Sequence, residues 1–207
     1  MIKAVWFCVV CMACGVLSAQ KIISKEIAVP SVSLFTINTT HVFDLTITTG
    51  ATDKVFVEAF FDGEYKEGLF ITTQIDLNKL VVGVDYSPVF ESFDDKLAAH
   101  KVLSVKMKLV LPKDKVVIVN GANTTSHVTG TYKNLQLYMN TGDCFLDAFE
   151  GNATIETFNG SVIAGNYKGI VKAASDYGKV QVLPNEVKLT TLNIHTVNGN
   201  ISVNTKK

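Results

Sequence analysis

The segment Leu137-Tyr138-Met139-Asn140-Thr141-Gly142-Asp143-Cys144-Phe145-Leu146 returns 18 residues later as Ile155-Glu156-Thr157-Phe158-Asn159-Gly160-Ser161-Val162-Ile163-Ala164 (155 − 137). It returns again as Ala173-Ala174-Ser175-Asp176-Tyr177-Gly178-Lys179-Val180-Gln181-Val182 and, 21 residues further on, as Ile194-His195-Thr196-Val197-Asn198-Gly199-Asn200-Ile201-Ser202-Val203 (194 − 173). Gly121, preceded by Val116 and Ile118, is read as a first copy. Within each copy the apolar positions alternate with polar ones, as they do on a strand with one buried face. The glycines stand where tight turns supply a positive φ. A second series, Gly130, Gly151 and Gly169, marks the other end of each unit.

Equal phase from copy to copy is the mark of stacked units, each too small to hide its own apolar face. The fold class expected is all-β: a β-solenoid or β-roll of roughly 18-residue, two-strand coils over about 116–205. In it each strand pairs in parallel with its equivalent in the next coil, so like side chains form columns. A hairpin meander, with antiparallel neighbours joined by Asn-Gly turns, is the alternative.

The N-terminal half is strand-rich without the repeat. Strands are expected over Leu34–Asn38, Val42–Thr48, Lys54–Phe61, Leu69–Leu77, Leu80–Tyr86 and Leu103–Leu111, with edge pairing at Ile27–Val32. This irregular β segment is expected to cap the coils. The stretch Ser87–Lys101, with Phe90, Phe93 and three acids, breaks the rhythm and reads as a long loop, with a helical turn near Lys96–His100. Residues 1–19 read as an export signal: Lys3, an apolar run from Ala4 to Val16, and a cut after Ala19. The run is too short to span a membrane, and Cys14 is poorly placed for a lipid anchor. Three segments follow: a signal over 1–19, an N-terminal β segment over 20–112 and a repeat region over 113–207. A single continuous domain over 20–207 is the alternative.

Composition narrows the function. With 19 basic and 19 acidic residues the chain is neutral, which gives no footprint for nucleic acid. Beyond the signal only Cys144 remains, in a column otherwise held by Val162, Val180 and Ile201, so burial is expected rather than reactivity. The histidines His41, His100, His127 and His195 are scattered, and the nonapeptide that would let Asp143, Asp147 or Asp176 bind calcium between coils is absent. No catalytic residue, metal ligand or cofactor site is expected.

An exported chain, a Val105-Lys106-Met107-Lys108-Leu109-Val110-Leu111-Pro112 strand and Asn-Gly repeats closing on Val197-Asn198-Gly199-Asn200-Ile201-Ser202-Val203 together resemble the bacterial putative-adhesin family, whose relatives include auto-transporter-adhesin-like head domains. The resemblance spans about 21–207. It implies a β-solenoid or β-roll envelope protein without catalysis, and it carries over no site residue.

Candidate binding residues come instead from the coil face: Tyr132, Tyr138, Phe158, Tyr167 and Tyr177, read as outward aromatics beside amides, and Phe90 and Phe93 on the long loop. Aromatic rings with amides suit sugars and protein partners. The expected function is a non-enzymatic, exported envelope or cell-surface protein binding a protein or glycan. A periplasmic structural protein without a ligand is the alternative, and a polysaccharide-degrading solenoid enzyme a remote one. Weak end-to-end self-association is expected at the C-terminal coil, guarded only by Lys206 and Lys207.

Overall fold

A computed structural model describes residues 20–63, 66–89, 103–183 and 189–204. The expected signal, Phe90, Phe93 and the helical turn expected near Lys96 lie outside these residues. Fifteen strands belong to one sheet: β1 (Lys21–Ala28), β2 (Leu34–Asn38), β3 (Asp44–Gly50), β4 (Lys54–Gly63), β5 (Leu69–Asp76), β6 (Lys79–Tyr86), β7 (Leu103–Pro112), β8 (Val116–Asn123), β9 (Thr125–Thr141), β10 (Cys144–Asn159), β11 (Val162–Gly165), β12 (Ile170–Ser175), β13 (Val180–Val182), β14 (Thr191–Thr196) and β15 (Ile201–Asn204). Among the described residues the only helical turn is a 3-10 turn at Lys66–Gly68. The chain is therefore all-β.

The sheet folds into two rows because β9 and β10 bend at mid-length. Register shifts between Asp147 and Phe149, and between Glu150 and Asn152, mark the corner in β10. One row runs β1-β4-β7-β3-β9-β10-β11-β15-β13, and the other runs β5-β6-β2-β8-β9-β10-β14-β12. Inward side chains of both rows form one hydrophobic cluster, from Phe35 and Leu45 to Leu192 and Val203.

From β8 onward every pairing is parallel, and the register shifts only at the β9/β10 corner. Leu137 pairs with Ile155, and Cys144 pairs with Val162. The order of the columns departs from the expected one. Ile155 pairs next with Ile194, and Ala173 lies beyond it. Likewise Val162 pairs with Ile201, and Val180 lies beyond that. The last repeat in the chain is inserted before the one that precedes it. A second insertion occurs in the N-terminal half: β2 lies between β6 and β8, and β3 between β7 and β9. These four N-terminal strands extend the rows through parallel pairs, while β6 and β7 pair antiparallel on their other edges with β5 and β4, and β1 pairs antiparallel with β4.

Two further expectations are corrected. The first copy is out of phase: Val117 and Val119 are fully buried and pair with Leu135 and Leu137, whereas Val116 and Ile118 are not inward. Gly121 pairs with Met139 and not with Gly142, because β8 continues to Asn123 before its turn. Second, the glycines of the main series serve close approach more than turn conformation. Of Gly121, Gly142, Gly160, Gly178 and Gly199 only Gly142 has a positive φ. A Cβ on Gly160 would lie 2.0 Å from the Gly142 carbonyl oxygen, one on Gly199 1.8 Å from that of Gly160, and one on Gly178 1.9 Å from that of Gly199. Backbone stacks on backbone there, in the same altered order.

The two ends of the rows differ. At the β1/β5 end, the Lys21 ammonium donates to the carbonyls of Lys66, Glu67 and Leu69, and Lys25 donates to Ile71 at 2.6 Å. Inward lysines thus tie β1 to β5 across the end, a known guard against edge pairing. At the other end lie β12 and β13, not the C-terminal strand β15, which is flanked by β11 and β13. The C-terminal strand, on which the expected end-to-end association rested, is therefore not the open edge of the sheet.

Candidate functional site

The parallel register sets residues of one phase side by side, at the ~4.8 Å spacing of strands. On the outer face of the β8–β14 row, Asn120 pairs with Tyr138, Tyr138 with Glu156, and Glu156 with His195. Asn120, Glu156 and His195 are exposed and Tyr138 is half-buried. Together with Phe158 and Val197 they line a shallow, open depression of about 560 Å³. Each neighbour contributes a different chemistry: an amide, a phenol, a carboxylate and an imidazole. His195 Nε2 lies 3.2 Å from Asp176 Oδ1, which steadies the ring at one end of the row.

Of the aromatics expected to face outward, Phe158 and Tyr177 do so, at 50% and 83% exposure. Tyr132 and Tyr167 do not; both are buried. They stack on either side of Phe149, with ring centroids 5.3 and 6.2 Å apart. Large rings fill the corner where β9 and β10 bend. Their hydroxyls are satisfied there, Tyr132 donating to Thr129 O at 3.1 Å and Tyr167 to Gly151 O at 3.2 Å. Burial pushes both phenols above their ordinary pKa. They hold the corner and do not contact solvent partners.

Tyr138 and Phe158 are thus brought together in the depression, while Tyr177 stands apart in the turn between β12 and β13. The sequence reading missed the grouping of Tyr138 with Glu156 and His195. The signal was present, since Tyr138 and Glu156 hold one phase of the repeat and His195 follows the inward Ile194. On the opposite outer face His127 stacks flat on Phe145, with centroids 4.8 Å apart. Cys144 is fully buried, and desolvation, with a smaller contribution from the Asp143 charge, pushes its thiol up to about 12. Among the described residues no three His, Cys, Asp or Glu side chains converge as metal ligands. No helix there is long and apolar enough to cross a membrane.

No protein-family model matches the chain, and no curated protein matches it. Solved structures do. A putative cell adhesion protein from Clostridium sporogenes is 14% identical, with a TM-score of 0.64 over 91% of this chain and 100% of that one. The chain shares that protein's fold. A putative adhesin from Bacteroides fragilis is 11% identical with a TM-score of 0.43, over 91% of this chain and 100% of that one. A putative adhesin from Parabacteroides merdae is 12% identical with a TM-score of 0.27, over 86% and 96%. These neighbours carry the adhesin name that the sequence resemblance supplied.

Proposed function

We propose that the chain is a non-enzymatic, exported envelope or cell-surface protein, adhesin-like, which binds a protein or glycan partner through one outer face. On this reading the two rows of parallel strands form a β-solenoid, capped at the β1/β5 end. The ladders that run without interruption from β6 and β7 to β12 and β13 support a single continuous domain over 20–207. The apolar run from Ala4 to Val16 supports export.

The observation that carries the binding role is the row Asn120–Tyr138–Glu156–His195 beside Phe158. Sugars present hydroxyls around a C–H-rich ring face, and amide, carboxylate and imidazole groups flanking an aromatic ring match that pattern. The site is open and its polar groups are fixed by backbone register, so it suits a chain-like or surface-borne ligand better than a small enclosed substrate. The name of the Clostridium sporogenes neighbour agrees with this reading.

The experiment is glycan-array and extracellular-matrix binding by the wild type, Tyr138→Ala and Glu156→Gln, alongside protease shaving of intact producing cells. The expected result is binding by the wild type, loss in both variants with unchanged thermal unfolding, and cleavage on intact cells. Binding that survives both substitutions would move the site elsewhere. Protection from protease until the envelope is opened would move the protein to the periplasm.

A further inference from the structure

We propose that two copies of this chain join end to end through the β12/β13 edge, about a two-fold axis that passes by Ala174 and Gln181. The reasoning starts from burial. In the columns that run inside the rows, Val162 and Ile201 are 0% and 1% exposed, but Val180, next in the same column, is 43% exposed. Val182 is 40% exposed where its neighbour Val203 is 0%. The hydrophobic interior is open at this end. Among the described residues no strand pairs with the far side of β12 or β13.

The backbone of that edge is arranged for pairing. Ile170 N–H donates to Thr190 O and Asp176 N–H to Thr196 O, so even-numbered residues of β12 direct their backbone groups at β14. Val171, Ala173 and Ser175 therefore direct theirs outward. By the same rule Val180 and Val182 present theirs, since Leu183 N–H donates to Val203 O and Lys179 O accepts from Ile201.

A second copy fits this edge in one register. A two-fold axis makes β12 antiparallel to its twin. Placing Ala174 opposite Ala174 of the second copy puts Ala173 opposite Ser175, and these odd residues then exchange the outward hydrogen bonds. It also puts exposed Lys172 opposite Asp176 of the second copy, twice over. Asp176 is oriented by His195 at 3.2 Å and its side chain stays about half exposed, at 51%. Inward residues meet inward residues, so the two interiors join. Gln181 lies as far beyond the turn as Ala174 lies before it, both being centred on 177.5, so the same axis sets Val180 opposite Val182 on β13. Growth stops at two copies, because the far end of each is closed by Lys21 and Lys25.

The test is sedimentation equilibrium of the processed protein, with Lys172→Asp, the charge-swapped pair Lys172→Asp with Asp176→Lys, and Ala174→Cys. A dimer is expected for the wild type. Lys172→Asp weakens it about tenfold or more, as two like-charged pairs replace two attractive ones, and the swapped pair restores it. Under air or oxidised glutathione as the oxidant, Ala174→Cys forms an intermolecular disulfide between its two introduced thiols, located by mass spectrometry, whereas Lys133→Cys does not. Circular dichroism confirms that each variant folds. A monomer at millimolar concentration, an open-ended polymer, or a dimer indifferent to Lys172→Asp would each overturn the proposal.

Discussion

Ile155 pairs in register with Ile194, 39 residues later (194 − 155), and not with Ala173, 18 residues later (173 − 155). The repeat that comes last in the chain is thereby packed on both sides, and the repeat before it becomes the outermost layer. Contact order rises as a result, because the final strands must reach past β12 and β13. Burial follows the spatial order and not the sequence order. Leu192 and Ile194 are buried, while every residue of β12 is at least partly exposed.

Truncation should report this order. Ile194→Ala is expected to cost about 2–5 kcal/mol, the range for a fully packed aliphatic. Val171→Ala, at the open end, should cost no more than about 1 kcal/mol. Urea denaturation measures both, and equal losses would contradict the insertion of β14 before β12.

The glycine stack makes a sharper contrast. Gly160→Ala places a methyl 2.0 Å from the Gly142 carbonyl oxygen, with backbone on the blocking side, so the two stacked backbones must part. A loss of about 3 kcal/mol or more, or failure to fold, is expected. At Gly50 the nearest atom is Val110 Cγ1 at 3.6 Å, an ordinary contact. Gly50→Ala should therefore stay within about 1 kcal/mol of the wild type. Thermal unfolding of the two variants decides the point.

Hydroxyls beside the stack divide in the same way. Thr196 Oγ1 donates to Gly160 O at 3.1 Å and accepts from Gly199 N–H at 3.0 Å. Thr157 holds the equivalent place one strand away, yet its buried Oγ1 has no partner. Thr196→Val should cost about 1–3 kcal/mol, since it leaves buried groups unpaired. Thr157→Val removes an unpaired hydroxyl at constant shape, and should be neutral or stabilising by up to about 1 kcal/mol. Chemical denaturation that reversed this ranking would refute the assigned hydrogen bonds.

Much of this was legible in the sequence. The strands at Leu34–Asn38 and Leu80–Tyr86 are marked by short apolar runs beside turn formers, and β2 spans Leu34–Asn38 while β6 begins one residue earlier, at Lys79. The column Cys144, Val162, Val180 and Ile201 was also readable, because parallel register demands like residues in like places. Its spatial order was not. Equal phase says which residues can be neighbours, and says nothing about which strand slips between which. Only the 21-residue step before Ile194, longer than the two 18-residue steps that precede it, hinted at a detour. Tyr132 and Tyr167 were misread as outward because they sit at the corner, where the bend interrupts alternation and turns the side chain inward. Tyr138 lies in mid-strand, where alternation holds.

Cys144 should make stability fall at high pH. Burial raises its folded pKa to about 12 from the ordinary 9.0. Above pH 9 the unfolded thiol ionises while the folded one does not, so protons are lost on unfolding and the folded state loses ground. The contribution is complete below pH 9 and fades as pH rises towards 12, by about 1.4 kcal/mol per unit. Tyr132, raised for the same reason, adds to the slope, so the comparison is with Cys144→Ala. That variant should show a shallower decline between pH 9 and 11 in denaturant titrations. At pH 8 a thiol reagent should label the wild type only as fast as it unfolds.

The lysines at the closed end supply the last prediction. Lys21 and Lys25 bring ammonium groups to backbone carbonyls of residues 66–71, and Ile23, between them, and Ile27, beyond, pack on the core. Hydrogen bonds from a charged donor are worth about 1.5–3 kcal/mol each at the upper end. Replacing both by Met keeps the length and apolar stem of the side chains but strips the carbonyls of donors. Hydrogen exchange should then rise at residues 69–76, with a smaller change at β10, because the loss is local to the end. The freed edge should also let a second copy pair there, so Lys21→Met with Lys25→Met is expected to raise the apparent mass in solution beyond the wild-type value. Faster exchange at β5 without any gain in mass would show that the lysines brace this end but do not guard it.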